Sequence, residues 1–274
     1  MTQTANPAAL LTFVHITDTH ISADPRYNLD GVSHTPLFGA KALVKRLNDL
    51  PFTPDFVLHT GDVAYDPDES AYEAAREIFG ELRFPITYLN GNHDDKAALQ
   101  RILLGREQPE ACFNQEIEVN GVQIVCLDSK HPTLATRGHI SDEQLTWLSS
   151  IAKADDPRPL VVAVHHNPLK VGIPWWDDFM SLENGDDLHA ALLPLRSRLR
   201  GVFFGHVHQS TQIYRDGILY VSGLSSWYQI SAQPGQIKTI DDKQARPGFN
   251  VVMITPAHTF IRAYTYIVEP DIGG

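Results

Sequence analysis

Asp18 and His20 stand two residues apart in Ile16-Thr-Asp-Thr-His20, and His206 and His208 repeat that spacing in Gly205-His-Val-His208. Between them lie Asp62 in Gly61-Asp62, Asn92 in Gly91-Asn-His-Asp94, and His165. Carboxylate and amide oxygens with imidazole nitrogens suit Fe, Mn, Co or Zn, whereas a structural zinc site would bring thiolates. Seven ligands are too many for one ion and suit two transition-metal ions, divalent or trivalent, that share a carboxylate. Two carboxylates against two divalent ions leave a formal local charge of about +2, which attracts an anionic phosphate. Water bound at such ions is acidified to a pKa near ~7, so hydroxide between them is a nucleophile at neutral pH.

Each of these segments follows an apolar run. Leu11–Ile16, Asp55–His59, Pro85–Leu89, Leu160–His165 and Gly201–Phe204 read as buried strands. Ligands in open α/β sheets bind beyond the carboxyl ends of strands, so five strand ends deliver the polar residues to one edge. Glycines at 61, 91 and 205 let the chain turn sharply there. Helical spacing appears between the strands, at Leu43, Leu47 and Leu50 and again at Ala71, Ala75, Ile78 and Leu82. Ser141 with Gln144 forms a capping box that opens a helix to about Ala152, and Asp186 or Asp187 is expected to cap one carrying Leu188, Leu192 and Leu195. Hairpins are expected over Phe113–Asp128 around Asn120-Gly121, over Thr211–Ser222 around Arg215-Asp216-Gly217, and between Phe249–Ile254 and Thr259–Ile267. Helix-alternating strands mixed with hairpins predict two sheets face to face with helices outside. One domain is expected over 11–274, after a disordered lead-in at 1–10 and with a cap or loop elaboration around 223–250 in which Gln233–Gly248 forms a long loop.

The ordered series D-x-H, GD, GNHD, H and GHxH, from Asp18 to His208, resembles the calcineurin-like metallophosphoesterase superfamily. That resemblance implies an α/β (α+β) fold, a four-layer αββα sandwich of two mixed sheets flanked by helices. It also implies that Asp18, His20 and His208 bind a first metal, Asn92, His165 and His206 a second, and that Asp62 bridges them. His93 would face the substrate as a phosphate-binding or acid group, with Asp94 orienting its ring. Because the amide of Asn92 binds less firmly than a carboxylate, the second ion is expected to leave first under mild chelation. His165 is chosen over His166 as the first histidine after the apolar run. Alternation along a strand would keep the two from one ion, and His15, His59 and His166 read as packing or supporting residues. Gly61-Asp-Val-Ala-Tyr65 also fits the GDxxY element of purple acid phosphatases, where the tyrosine binds iron. Those enzymes have glycine where this chain has His20, so Tyr65 is not taken as a ligand.

The substrate class follows from departures. Protein phosphatases and dinucleoside-polyphosphate hydrolases carry a basic segment after GD, whereas this chain has the acidic Val63-Ala-Tyr-Asp-Pro-Asp68. The D-x-H opening, GNHD and Glu183-Asn184 look more like class III cyclic-nucleotide phosphodiesterases and bacterial glycerophosphodiesterases. The expectation is a phosphodiesterase that takes a small phosphodiester such as 3′,5′-cyclic AMP. Trp175 and Trp176, and Trp227 and Tyr228, offer flat faces that can stack on a base or simply anchor loops. A non-catalytic scaffold would be expected to lose ligands, and this chain keeps all seven and His93. The net charge of −11 argues against a stable nucleic-acid partner. No apolar run is long enough for a membrane span. Cys112 and Cys126 lack metal or redox spacing, which fits a cytoplasmic protein with reduced thiols. A homodimer or higher homo-oligomer is expected from the resemblance.

Overall fold

Alternation along the buried strands decides the layering. In the first strand, β1 (Leu11–Ile16), Leu11 and Phe13 join one apolar cluster while Val14 and Ile16 join another. The same split recurs in β5 (Val122–Leu127), where Ile124 and Cys126 face one way and Val125 and Leu127 the other. A strand that is apolar on both faces needs cover on both, and that dictates a multilayer sandwich.

The computed structural model describes residues 9–153 and 155–268. One sheet joins β1 to β2 (Phe56–His59), β3 (Ile86–Tyr88), β12 (Gly248–Ile254) and β13 (Thr259–Thr265) in the order β13-β12-β1-β2-β3. The other contains β4 (Gln115–Val119), β5, β6 (Leu160–Val164), β7 (Leu199–Phe204), β8 (Gln212–Arg215) and β9 (Ile218–Ser222), ordered β4-β5-β6-β7-β9-β8. Parallel pairs β1·β2, β2·β3, β5·β6 and β6·β7 stand beside antiparallel ones, so both sheets are mixed. Between the sheets lies a core of Phe13, Phe56, Leu58, Ile124, Val161 and Phe203. Helices α1 (Pro36–Asn48), α2 (Glu69–Gly80) and α3 (Lys96–Leu104) cover the outer face of the first sheet. Helices α4 (Asp142–Lys153), α5 (Pro174–Phe179) and α6 (Gly185–Leu192) cover the second. The expected αββα arrangement is present.

Several local expectations hold for the reasons given. Ser141 and Gln144 exchange the reciprocal bonds of a capping box at 3.3 and 2.8 Å. Asn120 and Gly121, both at positive φ, turn β4 into β5. Asp216-Gly217 does the same for β8 and β9, so Arg215 belongs to the strand rather than the turn. Others shift. Asn184, not Asp186 or Asp187, precedes α6, because its side chain is engaged with both backbone groups of Ile140. The two aspartates then sit in the first turn, where the helix dipole favours them. Strand β6 stops at Val164, one residue before His165. Within the expected long loop, β11 (Asp241–Asp242) pairs with β10 (Gln229–Ile230). Residues 1–8 of the expected lead-in lie outside the described residues, and Leu10 already donates to Ile254 O. Among the described residues, no helix is long and apolar enough to cross a membrane.

Two buried histidines tie the layers together beneath the strand ends. His15 Nε2 meets Thr60 Oγ1 at 2.9 Å while its Nδ1 meets the Asn250 amide nitrogen at 3.2 Å. His59 Nδ1 accepts the Gly61 N–H, and its Nε2 lies 3.0 Å from Thr19 Oγ1. Burial pushes both imidazoles down to about 3. The unfolded chain, with histidines near ~6.5, therefore binds protons first, and stability is lost as pH falls below that value. Each contributes roughly 1.4 kcal/mol per pH unit between its unfolded and folded values. The metal-free protein should show a clearly lower urea midpoint at pH 4.5 than at pH 6.5. Equal midpoints would refute this.

Candidate metal centre

The turns that follow β1, β2 and β7 hold unusual backbone. Asp18, His20, Asp62, His206 and His208 all have positive φ, between 47° and 70°. Among the described non-glycine residues only the hairpin residues Asn120 and Asp216 share that conformation. Such strain collects at functional sites and is held by its surroundings. Here the surroundings are interlocked loops. Asp18 N–H donates to Gly61 O and His20 N–H to Asp62 O, both at 3.0 Å. The His206 N–H donates to the Asp18 carboxylate at 2.9 Å, and Thr17 Oγ1 donates to it at 2.7 Å. Two glycines allow the close approach. A Cβ on Gly91 would lie 2.1 Å from Asp62 Oδ1, and one on Gly205 would lie 2.9 Å from Asp18 Oδ2.

All seven sequence-predicted ligands converge. One ligand atom from each of Asp18, His20 and His208 lies within 4.8 Å of the others, as do those of Asp18, Asp62 and His165. His20 Nε2 and His208 Nε2 face each other at 2.9 Å. Two nitrogens each ~2.1 Å from one ion at a right angle stand about that far apart. His165 Nε2 lies 3.2 Å from Asp62 Oδ2 and 3.1 Å from Asn92 Oδ1. In three of the four histidines the other ring nitrogen is fixed by a backbone carbonyl, which sets the tautomer and leaves the opposite nitrogen for a ligand bond. His165 Nδ1 donates to Thr60 O, His206 Nε2 to Thr136 O and His208 Nδ1 to Tyr228 O, at 2.7, 2.8 and 2.9 Å. Sequence reasoning missed these three supports, since a carbonyl carries no side-chain signal.

The electrostatics suit cations. Asp18, Asp62, His20, His165, His206 and His208 are all buried. Burial opposes the charge of Asp18, yet His208 at 3.5 Å holds its carboxyl below the ordinary range, and His165 and His93 do the same for Asp62. Burial keeps His20 and His206 neutral, with His206 pushed down to about 3. Burial acts the same way on His165, but Asp62 overcomes it and raises that imidazole to about 9. Charged carboxylates with the neutral imidazoles of His20 and His206 are a donor set for borderline transition metals, and an ion would displace the proton of His165. The residues present fit that group.

His93 lies at the rim, half-buried. Its backbone N–H donates to Asp62 Oδ1 at 2.9 Å, and its Nδ1 meets Tyr65 O at 3.0 Å. The Tyr65 ring stacks on it, with centroids 5.2 Å apart and planes at 28°. Asp94 does not orient the His93 ring, contrary to expectation. It is fully buried and accepts from Gly91 N–H at 2.8 Å, Ala64 N–H at 3.0 Å, Val63 N–H at 3.2 Å and Tyr72 OH at 3.2 Å. Its carboxylate is spent tying the GD and GNHD turns together, so Tyr65 takes the role assigned to it. Trp175 and Trp176, both on α5, are buried in the apolar cluster on the outer face of the second sheet and anchor that helix. Trp227, also buried, donates to Asn28 and packs near Tyr27, Tyr65 and His20. Tyr228 is half-buried beside His208.

His166 departs most from expectation. Alternation along a strand would turn it away from His165, but β6 has ended, and the two rings lie 5.0 Å apart. One ring nitrogen each of His165, His166 and His206 lies within 4.8 Å of the other two.

A family model described as calcineurin-like phosphoesterase matches residues 11–210, and the chain belongs to that family. Metal ions are what that family works with. The chain is 30% identical to a 3′,5′-cyclic-nucleotide phosphodiesterase of Nostoc sp., over 96% of both chains. It is also 30% identical to a glycerophosphodiester phosphodiesterase of Enterobacter lignolyticus, over 72% of this chain and 70% of that one. Among solved structures, a purple acid phosphatase from yellow lupin seeds superposes with a TM-score of 0.66 at 14% identity. That match covers 93% of this chain and 51% of the other, and it speaks for the fold alone.

Proposed function

We propose that this phosphoesterase hydrolyses small phosphodiesters, a 3′,5′-cyclic nucleotide first among them, at a centre of two metal ions. The observation that carries the reading is the convergence of Asp18, His20, Asp62, Asn92, His165, His206 and His208 on one buried cluster. Asp18, His20 and His208 hold the first ion, Asn92, His165 and His206 the second, and Asp62 is shared. The ions are Fe, Mn, Zn or Co. When bound they supply Lewis acidity and acidified water. The protein's own residues do the rest. Thr60, Thr136 and Tyr228 carbonyls fix the imidazoles, and Asp94 clamps the turns that carry Asp62 and Asn92. His93, held through Nδ1 by Tyr65, has Nε2 free; once protonated there, it donates to the leaving oxygen.

The relative from Nostoc supports the cyclic nucleotide, and the one from Enterobacter keeps glycerophosphodiesters as a second reading. The proposal extends to one domain over 11–274, a cytoplasmic location and a homo-oligomer.

Metal-reconstituted enzyme assayed on cyclic AMP, a glycerophosphodiester, bis(p-nitrophenyl) phosphate and p-nitrophenyl phosphate tests this. The kcat/KM for at least one natural diester should exceed that for the monoester by ~10-fold or more, about 1.4 kcal/mol of transition-state preference. Preference for the monoester would overturn the diester reading, and inactivity on all four with metal bound would overturn hydrolysis itself.

A further inference from the structure

We propose that Tyr27 and Tyr65 form an aromatic wall that holds the flat base of a nucleotide substrate beside the metal centre. This deepens the cyclic-nucleotide reading above, on which the direction of the bound substrate rests. Tyr65 stands three residues after Asp62, and its ring lies against two others. His93 stacks on it at 5.2 Å and 28°, and Tyr27 packs on it at 4.8 Å and 31°. Both tyrosines are only half-buried, so part of each ring stays open to solvent at the rim. An aromatic surface left open at the mouth of a polar centre is the composition of a ligand pocket, apolar walls with a few placed polar groups.

The wall is held in shape from behind. The buried Trp227 packs with its ring 5.8 Å from those of both Tyr27 and Tyr65. Its Nε1 donates to Asn28 Oδ1 at 2.9 Å, so the residue after Tyr27 is tied to the same indole. Asn28 Nδ2 donates to Val32 O at 2.9 Å, and the Tyr27 N–H donates to Asp24 O at 3.0 Å. Lys243 donates to Asp30 O, and His34 Nε2 donates to Ser226 O at 3.0 Å. The segment 24–34 is thus fastened along its length. Rings fixed before binding lose little conformational freedom when a ligand arrives.

The direction of the substrate follows from the acid. His93 donates to the leaving oxygen, and in a 3′,5′-cyclic nucleotide that oxygen belongs to the ribose that carries the base. Ribose and base therefore lie on the His93 side of phosphorus. The surface met there is Tyr65, and then Tyr27. A base packed on an aromatic platform gains ~10-fold or more in affinity. A glycerol chain has no flat face to offer, so the same wall separates nucleotides from glycerophosphodiesters.

Calorimetric titration of the metal-loaded protein with 5′-AMP and with ribose 5-phosphate tests this, because the second ligand keeps phosphate and sugar but lacks the base. The wild type should bind 5′-AMP at least ~10-fold more tightly. Tyr27→Ala should shrink that ratio to ~3-fold or less and leave the affinity for ribose 5-phosphate unchanged. Tyr27→Phe should restore the ratio, because the ring face and not the hydroxyl makes the contact. Equal affinities in the wild type overturn the wall without recourse to any variant, and an undiminished ratio in Tyr27→Ala overturns it as well. If diesters are cleaved while the two ligands bind alike, the wall falls and the phosphodiesterase reading stands. If 5′-AMP is preferred but no diester is cleaved, that reading falls and the base-binding wall stands.

Discussion

Asn in place of Asp62 should lower kcat by at least ~10³-fold and reduce the metal content from two ions to one or fewer. The substitution preserves shape, so the cause would be charge. Asp62 Oδ2 lies 3.2 Å from His165 Nε2 and 3.8 Å from His20 Nε2, and these belong to different ions in the proposed assignment. Asp62 is thus the carboxylate between the two ligand groups, and its negative charge offsets the repulsion between two cations. Asp62 Oδ1 also accepts the His93 N–H at 2.9 Å, so the rim is attached to the centre through the same side chain. An amide that keeps that bond through its oxygen turns its NH2 group toward the ions, and that group is no ligand. Circular dichroism of the metal-free variant should report the same fold, while its urea midpoint should fall, because the amide leaves the buried His165 imidazole without its anion. Retention of both ions with more than a tenth of the activity would remove Asp62 from the bridging position.

The sequence exposed much of this because strand ends and turn chemistry are local. Gly61-Asp62 and Gly205-His206 announce sharp turns after apolar runs, and the fold brings those turns together. Helix-alternating strands mixed with hairpins imply two sheets with helices outside, and the two sheets with their outer helices are present. What stayed hidden depended on where a strand stops and on which backbone atoms approach from elsewhere. Strand alternation puts His166 on the face opposite His165, but the ladder ends at Val164 and the rule no longer applies there. Asp94 looked like a partner for its neighbour His93, yet three amides from two separate turns compete for it and win. Tyr65 fits a tyrosine-ligand pattern in sequence, but its place is against the His93 ring. Trp175 and Trp176, read as loop residues, sit on a short helix whose start at Pro174 fits proline's preference for the first helical turn.

His93→Ala should lower turnover of a cyclic nucleotide by ~10²- to 10⁴-fold, the range general acid catalysis commands. The same variant should lose much less on bis(p-nitrophenyl) phosphate. A sugar alkoxide is a poor leaving group without a proton, whereas p-nitrophenolate leaves comfortably as the anion. The two substrates therefore separate proton donation from phosphate binding, which would reduce both rates alike. Tyr65 O holds His93 Nδ1, so only Nε2 is available for the donated proton. Tyr65→Phe keeps both the carbonyl and the stacked ring, and should leave the leaving-group dependence unchanged. Metal content is the remaining discriminator, because a ring nitrogen of His93 lies within 4.8 Å of donor atoms on His20 and Asp62. Loss of an ion from His93→Ala would make the residue a ligand and not an acid. The contact between the His93 backbone N–H and Asp62 survives in the alanine variant, so a retained dinuclear centre with a steepened leaving-group dependence is the expected outcome.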